Sequence, residues 1–171
     1  NTWLRFLLSN FFFNKEKIFD FKIIKNIKNF PKEDDLKKLI KNKSEILKNP
    51  LLISKYWIEA QKNLKTIGGN VVFFKTHNAL VTINKNSFTN LKYSLAAIHI
   101  VRDPRDIVVS YSHHMNKTFD ETIDFMIKNE LQYRIKETTG IPEIEIMGSW
   151  KFNFLSWKNG LPQIPKLLVK Y

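Results

Sequence analysis

None of the chain's 171 residues is a cysteine. That single absence removes disulfide scaffolds, zinc fingers and thiol nucleophiles. Four histidines are present but scattered, and no metal-ligand spacing is visible among them. No apolar run approaches the ~18 residues needed to span a membrane. Arginine is scarce, with four against 24 lysines, so an Arg at a structured position carries information. An initiator Met is missing as well. The first Met is Met115, and Asn1 leads straight into a helix pattern, as expected of a fragment cut at both ends, in which no signal peptide can be read.

What is present argues for one folded domain, or most of a larger one. At this length a chain buries roughly two thirds of its unfolded surface. Hydrophobic residues make up 43% and fourteen residues are Phe, which excludes global disorder. The net charge is +12, and +7 of it falls in residues 14–66, where 14 Lys are mixed with 7 acids. Seventeen Asn accompany the lysines, so the bias reads as gene composition as much as function. A nucleic-acid footprint would gather Arg and aromatics on one stripe. Lysines interleaved with acids read instead as solvated helix faces.

Residues 2–13 place Trp3, Leu4, Phe6, Leu7, Leu8, Phe11 and Phe12 at helical spacing, a broad apolar face with Asn1 or Thr2 as cap. Residues 14–32 read as a variable loop stopped by Pro31. A polar helix is expected from Asp34 or Asp35 to Asn49, and a second from Leu51 to Thr66. Gly68-Gly69-Asn70 marks a turn. Val71–Lys75 and Ala96–Arg102 read as buried strands, and residues 84–94 as polar and irregular. Asp103-Pro104 starts a helix to about Met115, with Asp as cap and Pro at the first position. Thr118 caps another, Gly140-Ile141-Pro142 breaks the chain, a helix follows over Glu145–Trp157, and a final strand begins at Leu167. Strands alternating with helices predict an α/β fold with a parallel sheet.

In such a sheet, ligands bind beyond the carboxyl ends of the strands. One strand ends in Lys75-Thr76-His77 and another in Arg102-Asp103-Pro104-Arg105-Asp106. With the helix start at Asn1-Thr2-Trp3, these are expected side by side as an anion site. Arg102 offers a planar fork suited to phosphate, and Ser110, two turns along the helix, could share the ligand. Equally open is a local Arg102–Asp106 ion pair with Ser110 a buried helix serine. Strand alternation could point Lys75 and His77 the same way, and a neutral imidazole beside a cation can take a proton from a hydroxyl. His77 could also be an ordinary loop residue. His99 reads as a core residue. His113 and His114 suit the C-terminal end of their helix.

Together these segments resemble the sulfotransferase family that uses 3′-phosphoadenosine-5′-phosphosulfate (PAPS). Asn1-Thr2-Trp3-Leu4-Arg5-Phe6-Leu7-Leu8 resembles the second half of its phosphosulfate loop and the helix after it. Phe74-Lys75-Thr76-His77 resembles the segment of its catalytic histidine, and Val101–Tyr111 resembles its 3′-phosphate motif. Gly148-Ser149-Trp150 with Trp157 resembles a downstream Gly-Ser-Trp helix. The resemblance implies a P-loop-nucleotidase-like α/β domain, incomplete at both ends, because the family's loop lysine would precede Asn1 and its closing segment would follow Tyr171. Asn1 and Thr2 would then bind the 5′ phosphosulfate end and Trp3 would stack on adenine. Arg102 and Ser110 would hold the 3′-phosphate, His77 would be the general base and Lys75 its electrostatic partner. No metal is required. Asn78-Ala79 stands where the animal cytosolic branch often has Leu-Pro, which points to a bacterial branch. The expected acceptor is a small molecule or carbohydrate carrying a hydroxyl or amine, and the expected location is the cytoplasm. Taken alone, the 171 residues are expected to be poorly soluble and to transfer no sulfate. The enzyme alternative is a P-loop kinase, whose Gly-Lys-Ser/Thr is missing here. The non-enzyme alternative is a basic module binding nucleic acid or an anionic surface through residues 14–66, with steeply salt-dependent DNA affinity.

Overall fold

A computed structural model describes residues 2–16, 18–64, 71–128 and 143–171, together with the backbone of 133–136. Asn1, Gly68-Gly69-Asn70 and Gly140-Ile141-Pro142 lie outside the described residues. Helix α1 spans Thr2–Phe13, as its apolar spacing predicts. The stretch expected as loop holds a 3-10 turn at Phe21–Asn26 and a short strand, β1, at Lys28–Asn29. The expected helix from Asp34 to Asn49 is two short ones, α2 (Glu33–Leu36) and α3 (Lys43–Lys48). Asn42 divides them, because its side chain accepts a hydrogen bond from Glu45 N and so caps a new start. Next come a 3-10 segment at Pro50–Tyr56 and α4 at Trp57–Lys62.

Strand β2 is only Phe74–Lys75 and pairs in parallel with β1, Asn29 opposite Lys75. The stretch read as irregular opens with a hairpin, β3 (Thr82–Ile83) and β4 (Asn86–Ser87). Its turn residues Asn84 and Lys85 sit at φ 50° and 67°, as a tight two-residue hairpin loop requires. Strand β5 (Ala97–Val101) leads into α5 (Pro104–Met115), followed by α6 (Phe119–Ile127) under a Thr118–Glu121 capping box. Strands β6 (Tyr133–Lys136) and β7 (Glu143–Ile146) pair antiparallel. The helix expected from Glu145 therefore starts later, as α7 (Trp150–Asn159) capped by Ser149. Glu143-Ile144-Glu145-Ile146 alternates with period two and buries both isoleucines, which is strand behaviour. Strand β8 (Lys166–Lys170) pairs in parallel with β5 along its whole length.

The result is α/β, with parallel pairing in two separate two-stranded units among the described residues. The core lies to one side. Phe30, Leu36, Ile46, Ile53, Trp57, Phe88, Ile144 and Ile146 are buried together, joining the region before β2 to β3, β4 and β7. Each such side chain contributes ~1.5–3 kcal/mol by leaving water. Among the described residues, no helix is long and apolar enough to cross a membrane.

Candidate active site

The segment after β2 is fixed by both its neighbours. Lys75 is half-buried and its carbonyl accepts a hydrogen bond from Phe30 N at 2.8 Å. Phe30 is itself in the core, with its ring 4.9 Å from that of Phe74. His77 emerges exposed, while Asn78 turns inward and is buried. Asn78 donates to Thr76 Oγ1 from both its main chain and its side chain, at 3.0 and 3.3 Å. Its Oδ1 accepts from Ile146 N, and its carbonyl accepts from the Trp157 indole at 2.9 Å. The exposed His77 is thus mounted on a residue with no freedom to drift.

The segment after β5 is built by a helix cap. Asp103 Oδ1 accepts from Arg105 N at 2.9 Å, and Pro104 occupies the first turn, where its missing N–H costs nothing. The Arg105 guanidinium forks onto the same carboxylate at 3.0 and 2.7 Å. Hydrogen bonds from the Arg105 side chain and backbone hold the Asp103 pKa down to about 2. Arg105 is therefore occupied, which leaves Arg102 as the cation of this strand end. Arg102 Nε lies 3.9 Å from Asp106 Oδ2, an ion pair too long to be a hydrogen bond. Its guanidinium lies 5.8 Å from the centre of the Tyr171 ring. Ser110 is exposed; the buried serine of this helix is Ser112, which donates to Val109 O at 2.9 Å. The ion pair considered from the sequence thus exists in loose form, and the buried role considered for Ser110 falls to Ser112.

At the third element, Thr2 and Trp3 are exposed, Trp3 by 63%. The helix behind them is anchored by Arg5, whose guanidinium donates to the carbonyls of Ile24 and Ile27. Burial lowers the Arg5 pKa from its ordinary value.

The sequence leads to the expectation that the three elements lie side by side along one sheet edge, but among the described residues they do not share a continuous sheet. Strand β2 pairs with β1 and β5 pairs with β8, and between the two units lies a cleft of about 1070 Å³. Residues 71–78 and 94–100 border it without a break. Alternating side chains cannot line a cavity that way from one face, so both strands meet the cleft edge-on. Lys75, His77, His99 and His114 all border it, whereas Thr2, Trp3, Arg102 and Ser110 do not. His99 sits 5.9 Å from the Phe154 ring and 6.3 Å from that of Trp157, and burial lowers its pKa, favouring the neutral form. His113 and His114 occupy the last turn of α5, with His114 stacked on Tyr111.

Sequence reasoning overlooked Asn153. Its Nδ2 donates to His77 O at 3.2 Å and to Met147 O at 2.9 Å. Ser149, Asn153, Ser156 and Trp157 recur at helical spacing, a row of hydrogen-bonding side chains that could have flagged this face. Gly148, just before α7, sits at φ +66° where a Cβ would collide with the Phe152 ring, so only glycine fits.

In an open α/β sheet ligands bind beyond the carboxyl ends of the strands, and there Arg102 stands before a helix cap and His77 is exposed. The family is shown by comparison: a model described as "Sulfotransferase domain" matches residues 2–171, and the chain belongs to the sulfotransferase family. Neither the curated proteins nor the solved structures compared gave a match.

Proposed function

We propose that this domain transfers a sulfuryl group from PAPS to a hydroxyl or amine of a small-molecule or carbohydrate acceptor. Arg102 and Ser110 hold the 3′-phosphate, with Asn1 and Thr2 at the 5′ phosphosulfate end and Trp3 against adenine. What supports this donor assignment is the division of labour at the β5 end. Arg105 is spent on Asp103, while Arg102 has a loose 3.9 Å contact to Asp106 and lies 5.8 Å from the centre of the Tyr171 ring, and Ser110 is open to solvent. A guanidinium and a hydroxyl so disposed match a phosphate's need for charge-assisted donors.

His77 acts as general base. It takes the acceptor's proton while the acceptor oxygen or nitrogen attacks sulfur. The new bond to sulfur forms as the S–O bond to the 5′-phosphate breaks, and 3′,5′-adenosine bisphosphate leaves with that electron pair. Lys75 steadies the charge developing between them. Transfer of this kind depends on in-line positioning and charge stabilisation, as phosphoryl transfer does. The observation that carries the catalytic reading is His77 itself, exposed beside the cleft that Lys75 also borders, on a segment held from below.

The decisive experiment is His77→Ala assayed with PAPS, alongside calorimetry of 3′,5′-adenosine bisphosphate. Turnover should fall by ~10²–10⁴, the scale of a lost general base, with bisphosphate affinity unchanged. Undiminished turnover, or a collapse of bisphosphate affinity instead, removes His77 from the mechanism.

A further inference from the structure

Four consecutive residues after β2 are each gripped through a backbone group. His77 O accepts from Asn153 Nδ2 at 3.2 Å, and Asn78 O accepts from Trp157 Nε1 at 2.9 Å. Ala79 N donates to Ile146 O at 2.8 Å, and Leu80 N donates to Ser156 Oγ at 2.9 Å. Three of the four partners are side chains of one helix, α7, at positions 153, 156 and 157. On a helix, residues three and four apart share a face, so these side chains form a single surface. The fourth comes from β7, which also supplies Ile146 N to the buried Asn78 side chain. The face is knit internally as well, since Ser156 Oγ donates to Asn153 O at 2.7 Å.

We infer that this face of α7 is a positioning device for His77, with Asn153 its principal residue. Asn153 bonds the histidine's main-chain carbonyl, so it acts through His77 and is a positioning residue. It holds two carbonyls at once, those of His77 and Met147, and so sets the distance between the histidine segment and the start of α7. The inference rests on the reading of His77 as the base. The physical claim is that a general base must be held within a fraction of an ångström of its proton, and a displacement near 1 Å can cost ~10²-fold. Backbone hydrogen bonds on four residues in succession provide that restraint while the ring stays exposed. Asn78 is the other half of the device: burying its side chain in place of an apolar one needs polar partners, and Thr76 Oγ1 and Ile146 N supply them.

The test pairs Asn153→Leu, which cannot donate, with Asn153→Gln, which can. Both are good helix formers, so α7 should persist. The first readout is the histidine ring NMR spectrum, with the His77 signals assigned by their loss in His77→Ala. In Asn153→Leu the His77 ring signals should move or broaden while those of His113 and His114 stay in place. With PAPS and 4-nitrophenol as probe acceptor, kcat should fall ~10²-fold with KM for PAPS unchanged, and Asn153→Gln should recover much of it. If the Leu variant fails to fold, Ser156→Ala, which frees Leu80 N, should give the same ring shifts to a smaller degree. Unmoved ring signals in every folded variant overturn the inference. If the ring moves yet His77→Ala turns over normally, the device stands and the general-base reading falls.

Discussion

The two strand ends that carry the candidate chemistry are built to different standards. The His77 end grows out of the core. Lys75 is bonded to buried Phe30, Asn78 is wholly enclosed, and β7 and α7 grip the following residues. The Arg102 end has less behind it, with α5 packed on α6 through Tyr111 and Phe125. Among the described residues strand β5 pairs with β8 alone, and both expose apolar side chains, with Ile98, Leu167 and Leu168 open to solvent. In α5, Val109 is half exposed, and in α1 Leu7 and Phe11 are exposed by 60% and 81%. On the proposed roles, the difference matches what a base and an anion site each need. A base must be placed to a fraction of an ångström, which takes packing. A phosphate is held by charge and by donors at a helix start, which a cap and two exposed side chains can present with little behind them.

The comparison breaks first at Trp57, which is fully buried and edge-on to the Phe88 ring at 5.3 Å. Trp57→Ala should cost about 3–5 kcal/mol of stability. Measured by urea unfolding, the loss should come with broadened His77 ring signals, since the core and the His77 segment are one packed unit. A loss under 1 kcal/mol would mean that the two sides are equally loose. The next effect is smaller and falls on binding. Arg102→Ala should weaken 3′,5′-adenosine bisphosphate at least tenfold, the loss of a charge-assisted contact worth roughly 1.5–3 kcal/mol, with little change in unfolding midpoint. Calorimetry with unchanged affinity would remove Arg102 from the donor site.

Smaller again is the response of the exposed apolar faces. Leu7→Lys and Phe11→Lys should change stability by no more than about 0.5 kcal/mol, because both side chains are largely exposed. They should nevertheless reduce self-association in sedimentation, since contiguous exposed apolar surface drives it. Substantial destabilisation would show that these side chains are buried in the protein as it exists in solution.

How much of this was legible beforehand follows the same divide. The Asp103-Pro104 start of α5, the Thr118 cap and the extent of α1 were plain, because caps, proline and helical spacing are local signals. Four motif segments sufficed to point to the family that the domain match shows. What escaped depends on distant partners. Strand β1 consists of two residues from a Lys-rich stretch and exists only because β2 lies beside it. The break at Asn42 and the strand at Glu143–Ile146 were written in the sequence, as a cap residue and as strict alternation, but stronger helix-like composition around them hid both. Asn153 could not be paired with His77 from spacing, because 76 residues separate them.

The smallest prediction concerns the Asp103 carboxylate, whose pKa is held to about 2 from an ordinary 3.8, first by the hydrogen bond from the Arg105 side chain. A carboxylate with a depressed folded-state pKa adds stability above its unfolded pKa and loses it as pH falls through the folded value. The contribution should therefore be complete above about pH 4 and gone near pH 2. Asp103→Asn isolates it, since Asn still accepts from Arg105 N as a helix cap but offers no charge to the guanidinium. Because the pair lies at the surface, the effect is modest and screened by salt. Melting temperatures of the two proteins should differ slightly at pH 6 in low salt, converge as pH is lowered from 4 toward 2, and converge at pH 6 when salt is added. A gap that ignores both pH and salt would mean that the fork from Arg105 to Asp103 does not survive in solution. Arg105 would then be free to compete with Arg102 for the phosphate, and the division of labour at this strand end would have to be redrawn.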